Sequence, residues 1–167
     1  MATFVPHNVN QRRIIQPKVN VSSTDETYIA RSRIIASIVS CAHHLFREVT
    51  AVVKPHKLTE SQYNALRILR GAERRSEQLT QAQLAERLIA SRANTTWILD
   101  RLEERKLIAR RGHVDRRKNI VEITSAGHKL LLKIDPEFEA MLERLLGHVP
   151  ASELDAMTAA LSKIKFD

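Results

Sequence analysis

Between Arg87 and Lys118 the chain gathers ten basic side chains, at 87, 92, 101, 105, 106, 110, 111, 116, 117 and 118. Four acidic ones accompany them, at 100, 103, 104 and 115. This net +6 is most of the +8 that 27 lysines and arginines and 19 acids give the whole chain. Clustered cations neutralise a run of phosphates and release counterions, so the chemistry suited to this stretch is binding of a polyanion. A solvated helix face laced with ion pairs is the plainer alternative. Elsewhere Cys41, His43 and His44 stand together, and Cys41 and His44 have an i,i+3 spacing that two metal ligands could use. No nearby Cys, His or Asp completes a set. Cys41 is the single cysteine; its place well inside a helix predicts a buried, inert thiol, with redox sensing through Cys41 as the alternative. No serine–histidine–acid order, glycine-rich loop or paired-carboxylate cleft is present. An enzyme is not expected, nor a cofactor or a metal.

These side chains need elements to hold them. Residues 1–22 carry Pro6, Pro17, three basic residues and no acid, and read as an arm: a solvated tail, a clasp across a dimer or a basic DNA-contacting segment. Ser23 and Glu26 have capping-box spacing, and Ile34, Ile35, Ile38, Ala42, Leu45, Phe46, Val49 and Val53 keep a helical period until Pro55. A second helix opens at Thr59 with Gln62 as capping partner and Leu58 with Tyr63 as a hydrophobic staple; Leu66 and Leu69 extend its apolar face to Gly71. Thr80 and Gln83, with Leu79 and Leu84, repeat the device for a short third helix. Ser91 caps a fourth, running to about Lys106. Two short helices across a tight turn outline a helix-turn-helix. Leu107 to Arg111 and Asn119 to Thr124 then read as a hairpin, Val121 and Ile123 facing inward, with its tip from Gly112 to Lys118. A fifth helix carries Leu130, Leu131, Ile134, Phe138, Met141, Leu142 and Leu145. A last one carries Leu154, Met157, Leu161 and Ile164 at a spacing that suits a partner helix.

The stretch from Leu79 to Gly127 resembles the MarR family of winged-helix regulators. The matching pieces are "LTQAQLAERL", "DRLEERKLIARR" and "DRRKNIVEITSAG", the last placing Asp115, Arg117, Val121, Thr124 and Gly127 at the family's spacing. With the flanking helices, the resemblance extends from about Thr24 to the C-terminus. The family often has glycine where Lys106 stands and arginine where Trp97 stands. The resemblance implies a mainly α fold with a small antiparallel β wing: a winged helix-turn-helix lobe plus a helical dimerisation region. It also implies that Arg117 reaches into a minor groove while Asp115 steadies it, with Arg116 and Lys118 on flanking phosphates and Arg111 in the same wing.

Turning 100° per residue along the fourth helix puts Ile98, Leu99, Leu102 and Thr95 inside, and Ala93, Thr96, Trp97 and Asp100 outside, with Arg92 on the flank. Ser91, Arg92, Ala93, Asn94, Thr96 and Trp97 are therefore the candidate recognition set, since such helices meet base edges with their N-terminal turns. Arg92 suits guanine or phosphate, and Ala93 and Thr96 a thymine methyl. Trp97 either packs on thymine methyls or a sugar edge, or packs against the wing or a neighbouring helix. Family members often bind small ligands between the dimer-forming helices and the DNA-binding lobe, and His43, Arg47, Tyr63 and Arg67 are placed to line such a cleft.

The expected organisation is a basic arm at 1–22, a dimerisation helix at 23–58, the DNA-binding lobe at 59–124 and C-terminal dimerisation helices at 125–167. The expected function is sequence-specific regulation of transcription, as a repressor released by a small-molecule effector. The partners are a near-palindromic double-stranded DNA operator and a second copy of the chain. A non-specific architectural DNA-binder and a protein-binding adaptor are the alternatives. No run approaches the roughly 18 apolar residues of a membrane span, and no secretory signal shows in the first 20 residues, so no membrane partner and a cytoplasmic location are expected.

Overall fold

The computed structural model describes residues 23–88, 91–112 and 119–165. The expected arm, the link at 89–90 and the hairpin tip at 113–118 lie outside them. The element order is α1 (Ser23–Val53), a 3₁₀ turn (Lys54–His56), α2 (Glu60–Arg74), β1 (Leu79–Thr80), α3 (Gln81–Leu88), α4 (Arg92–Glu104), β2 (Ile108–Gly112), β3 (Asn119–Ile123), α5 (Ser125–Leu146) and α6 (Ala151–Leu161). The chain divides after Cys41 into two compact units. The described part of the first is helical, with Asp25 and Glu26 in the opening turn, where carboxylates favour the positive helix end.

The second unit holds the core. Val53, Leu66, Leu79, Leu84, Ile98, Leu99, Leu102, Leu131 and Ile134 are all essentially inaccessible. Each such aliphatic side chain contributes about 1.5–3 kcal/mol over leaving it in water. Local signals put them there. Thr59 caps α2 reciprocally: Gln62 N–H donates to Thr59 Oγ1 (3.2 Å) and Thr59 N–H to Gln62 Oε1 (3.0 Å). The stapling pair Leu58 and Tyr63 is buried. Pro55 ends α1 and sits in the 3₁₀ turn, whose C-cap Lys57 is left-handed at φ 57°. A bidentate Arg70–Asp135 pair (2.6 and 2.9 Å) fastens α2 to α5.

Three boundaries differ from expectation. Helix α2 passes through Gly71 to Arg74, because Ala72 is a core residue and repays the turn. Its stop is at Ser76, left-handed at φ 54°, where Ser76 and Glu77 N–H donate to the Glu73 and Ala72 carbonyls (2.9 Å each). Helix α4 ends at Glu104, and Lys106 (φ 56°) closes it in the same manner: Lys106 and Leu107 N–H donate to the Glu103 and Leu102 carbonyls. These are Schellman closures, and Leu102 and Leu107 supply the buried apolar contact that accompanies them. Helix α6 stops at Leu161, leaving Ile164 beyond it.

The hairpin is part of a three-stranded antiparallel sheet in the order β1–β3–β2. Leu79 pairs with Val121 and Thr80 with Ile120 on one side of β3; Ile108 to Gly112 pair with Ile123 to Asn119 on the other. The central position of β3 explains why Ile120 is buried along with Val121 and Ile123 rather than alternating outward. The ensemble is a winged helix-turn-helix: α3 and α4 beside a β2–β3 hairpin, with mainly helical structure around it.

Candidate nucleic-acid interface

Helix α4 is set by Ser91, whose Oγ accepts from Asn94 N–H at 3.2 Å. That bond occupies the Ser91 hydroxyl with capping. From there the helix divides as its periodicity dictates. Thr95, Ile98, Leu99 and Leu102 are buried, while Ala93, Asn94, Thr96, Trp97 and Asp100 are exposed. Thr95 satisfies its buried hydroxyl on the Ser91 carbonyl (3.0 Å). Trp97 is 50% exposed. The Arg92 backbone opens the helix; its side chain lies outside the described set.

Helix α3 is fixed to this face from two sides. Thr80 and Gln83 exchange capping bonds at 2.9 and 3.2 Å. Gln81 Nε2 donates to Thr96 Oγ1 at 2.7 Å, and Arg87 at the far end pairs with Glu77. The hairpin is fixed through Arg110, whose guanidinium reaches Asp100 (2.7 Å) and Glu103 (2.9 Å) on α4. Sequence reasoning missed Gln81, Asp100 and Arg110 as the clamp holding α3, α4 and β2 in register, since their meeting depends on tertiary packing.

The same contacts correct the charge count. Arg87, Arg101, Arg110 and Arg111 each pair with a carboxylate, Arg111 Nε with Glu122 at 2.8 Å. Arg105 donates to the carbonyls of Lys57 (2.6 Å) and His56 (3.2 Å), which joins the end of α4 to the 3₁₀ turn. Arg101 and Arg111 remain exposed and accessible; Arg110 is largely committed inside the fold. Arg111 stands at the open end of β2, next to Gly112. Asp115, Arg116, Arg117 and Lys118 lie in the segment outside the described residues.

Thr124 and Gly127, two positions of the sequence match, lock the hairpin to α5. Thr124 Oγ1 donates to the Lys106 carbonyl (2.7 Å) and accepts from Gly127 N–H (3.1 Å). A Cβ on Gly127 would lie 2.4 Å from the Leu107 carbonyl oxygen and 2.7 Å from Ile123 Cγ1, so only glycine fits.

A cavity of about 350 Å³ lies behind α4. It is lined by Ala42, Leu45, Phe46 and Val49 of α1, by Glu60, Ser61, Tyr63, Asn64 and Arg67 of α2, and by Leu88, Ile98 and Phe138. Arg67 stacks its guanidinium 4.6 Å from the Phe138 ring centre and 5.7 Å from that of Tyr63. The buried Tyr63 hydroxyl has no hydrogen-bond partner among the described residues, and burial raises its pKa. Of the four expected lining residues, Tyr63 and Arg67 are present. His43 and Arg47 are not; both are exposed, because 42, 45, 46 and 49 share one stripe of α1 and 43 and 47 fall on the next. Cys41 is likewise exposed, against the expected burial. Among the described residues, no three His, Cys, Asp or Glu side chains are grouped to hold a metal.

Residues 58–119 match the model of the MarR family. The chain is 25% identical over 83 residues to the HTH-type transcriptional regulator MhqR of Bacillus subtilis (strain 168). That match takes in 49% of this chain and 57% of the relative, a little over half its length. Among solved structures, Staphylococcus aureus MepR in its DNA-binding conformation superposes with a TM-score of 0.68 at 25% identity, over 80% of this chain and 94% of that one. Sco5413, a MarR family transcriptional regulator from Streptomyces coelicolor, superposes with a TM-score of 0.68 at 29% identity, over 80% of this chain and 91% of that one.

Proposed function

We propose that this chain, whose residues 58–119 match the model of the MarR family, is a sequence-specific transcriptional regulator of that family that binds duplex DNA as a homodimer. The observation that carries the reading is the outer face of α4, displayed clear of the core and clamped beside the hairpin by Gln81 and Arg110. A helix so held enters a major groove with its N-terminal turns, Arg92 to Trp97, foremost. The wing segment, Arg111 with Asp115, Arg116, Arg117 and Lys118, then lies along the backbone and the adjacent minor groove. The similarity to MepR in its DNA-binding conformation supports the same docking. Residues 23–58 and 125–167 pair the protomers, and 1–22 form a basic arm. No described helix is long and apolar enough to cross a membrane, and the proposed work is on cytoplasmic DNA.

Repression relieved by a small molecule is the mode the cavity supports. Its wall includes Ile98 of α4 and Leu88 at the end of α3. An occupant there bears directly on the recognition helix, and close-packed interiors pass such shifts on. The experiment is selection of bound genomic fragments followed by titration over a salt series. A shared near-palindrome is expected, with affinity falling steeply as salt rises. Lys118→Ala should weaken all sequences alike and flatten the log–log slope by about one unit. A specific-to-nonspecific ratio near one makes the protein an architectural binder, and no salt-sensitive binding at all makes it an adaptor.

A further inference from the structure

Trp97 stands on the outer face of α4, one turn after Ala93 and one turn before Arg101. Helical side chains lean toward the N-terminus, so the indole extends over the position of Ala93, whose methyl leaves the space in front of it open. The Arg101 guanidinium lies 5.9 Å from the ring centre and is itself anchored on Glu104 Oε2 at 3.0 Å. The polar neighbours on this face are engaged within the fold: Thr96 accepts from Gln81, and Asp100 pairs with Arg110. The indole is therefore a large, positioned, half-exposed apolar surface in the middle of the face assigned to base reading.

We propose that Trp97 is a specificity-determining residue that reads the C5-methyl group of thymine in the major groove. The inference rests on the reading of α4 as the recognition helix. Base edges in that groove offer hydrogen-bonding atoms and one apolar group, the thymine methyl, and an indole complements only the latter over most of its surface. A sugar edge would also cover the ring, but it is present at every nucleotide and would give Trp97 affinity without selectivity. The basic excess between Arg87 and Lys118, which the pairing of Arg87 with Glu77 and of Arg111 with Glu122 reduces but does not cancel, favours a polyanion over an apolar protein groove as the occupant.

The test uses the full-length protein and the operator found by genomic selection. Each thymine is replaced in turn by deoxyuridine, which removes the methyl and keeps the base pair. Wild type, Trp97→Ala and Trp97→Phe are titrated on each duplex, with thermal melts alongside. In the wild type, one or two positions per half-site should lose roughly fourfold in affinity, the factor that burying one such group gives. The loss should vanish in Trp97→Ala and persist in part in Trp97→Phe. Deoxyuridine penalties that are the same in wild type and Trp97→Ala, or absent in both, overturn the proposal and leave DNA binding standing. Failure of the wild type to select any operator overturns the proposal and the underlying reading together.

Discussion

Arg117 and Arg116 are adjacent, equally charged and drawn from the same six-residue segment between β2 and β3. They are nevertheless expected to do different things. Arg117 holds the family's wing spacing from Asp115 and Val121, and a guanidinium entering a narrow minor groove reads its concentrated negative potential. Arg117→Ala should weaken binding by about 1–3 kcal/mol, more on operators with A·T-rich flanks. Arg116→Ala should cost less and show little flank dependence. Titration on two operators differing only in the flanks decides it, and equal, flank-independent losses sink minor-groove reading by Arg117. A second prediction concerns Glu77. Hydrogen bonding from Arg87, opposed by partial desolvation and reinforced by Arg75, holds its carboxyl below the ordinary value. A lowered carboxyl pKa adds stability above the unfolded-state value of about 4.3 and loses it as pH falls through the folded-state value. The melting-temperature advantage of wild type over Glu77→Gln should therefore be present near neutral pH and shrink as pH falls below the ordinary carboxylate range. An advantage that persists in acid would show that Glu77 acts other than as a carboxylate. At this scale the sequence was readable where a residue's role is local. Ser91, Thr59 and the inward set of α4 follow from spacing alone. Arg110 and Arg105 looked like free cations because their partners, on α4 and on the 3₁₀ turn, are brought to them only by packing.

The elements meet at one small junction, where α4 ends, β2 begins and α5 starts. Lys106 is left-handed there at φ 56°, a conformation that costs an L residue roughly 1–2 kcal/mol. Lys106→Gly removes that strain and returns part of the gain as unfolded-chain entropy, so stability should rise by about 0.5–1 kcal/mol. Gly127 is the opposite case. Gly127→Ala drives a methyl into the Leu107 carbonyl and the Ile123 side chain, and should destabilise by about 1–3 kcal/mol. Denaturant titrations of both variants check the pair; a destabilised Lys106→Gly would show that its side chain contributes more than its backbone costs. The junction also explains what could be foreseen. Capping boxes and staples announce helix starts, and those were legible at Thr59, Thr80 and Ser91. Helix ends closed by Ser76 and Lys106 carry no glycine signal, so both were misplaced by a few residues. β1 escaped notice because a two-residue strand has no periodicity, and Leu79 already served as a staple.

At the scale of the whole molecule, each of the two units exposes much apolar surface among the described residues. Tyr28, Ile34, Ile35 and Val39 are exposed in the first unit, and Phe46, Leu132, Met157 and Leu161 in the second. Helix α6 buries no residue at all, though its 11 residues include Leu154, Met157 and Leu161. A helix this short is marginal in water without tertiary packing, so an occupant for its apolar side is required. A second copy of the chain is the partner that the proposed near-palindromic operator would require, because two-fold symmetry in the DNA mirrors two-fold symmetry in the protein. The expectation is an obligate dimer joined by α1, α5 and α6, with a mass twice the 19.0 kDa of one chain at micromolar concentration. Sedimentation checks the mass directly, and a clean 19.0 kDa species removes the dimer. Met157→Glu combined with Leu161→Glu should then dissociate the protein and lower its melting temperature, since the two carboxylates would be desolvated against apolar side chains. Operator affinity should fall to that of a single half-site, while Ala93→Gln on the recognition face should weaken operator binding without changing the mass. If the α6 double variant stays dimeric and bound, the apolar face of that helix belongs to some other partner, and the protomers are held by α1 and α5 alone.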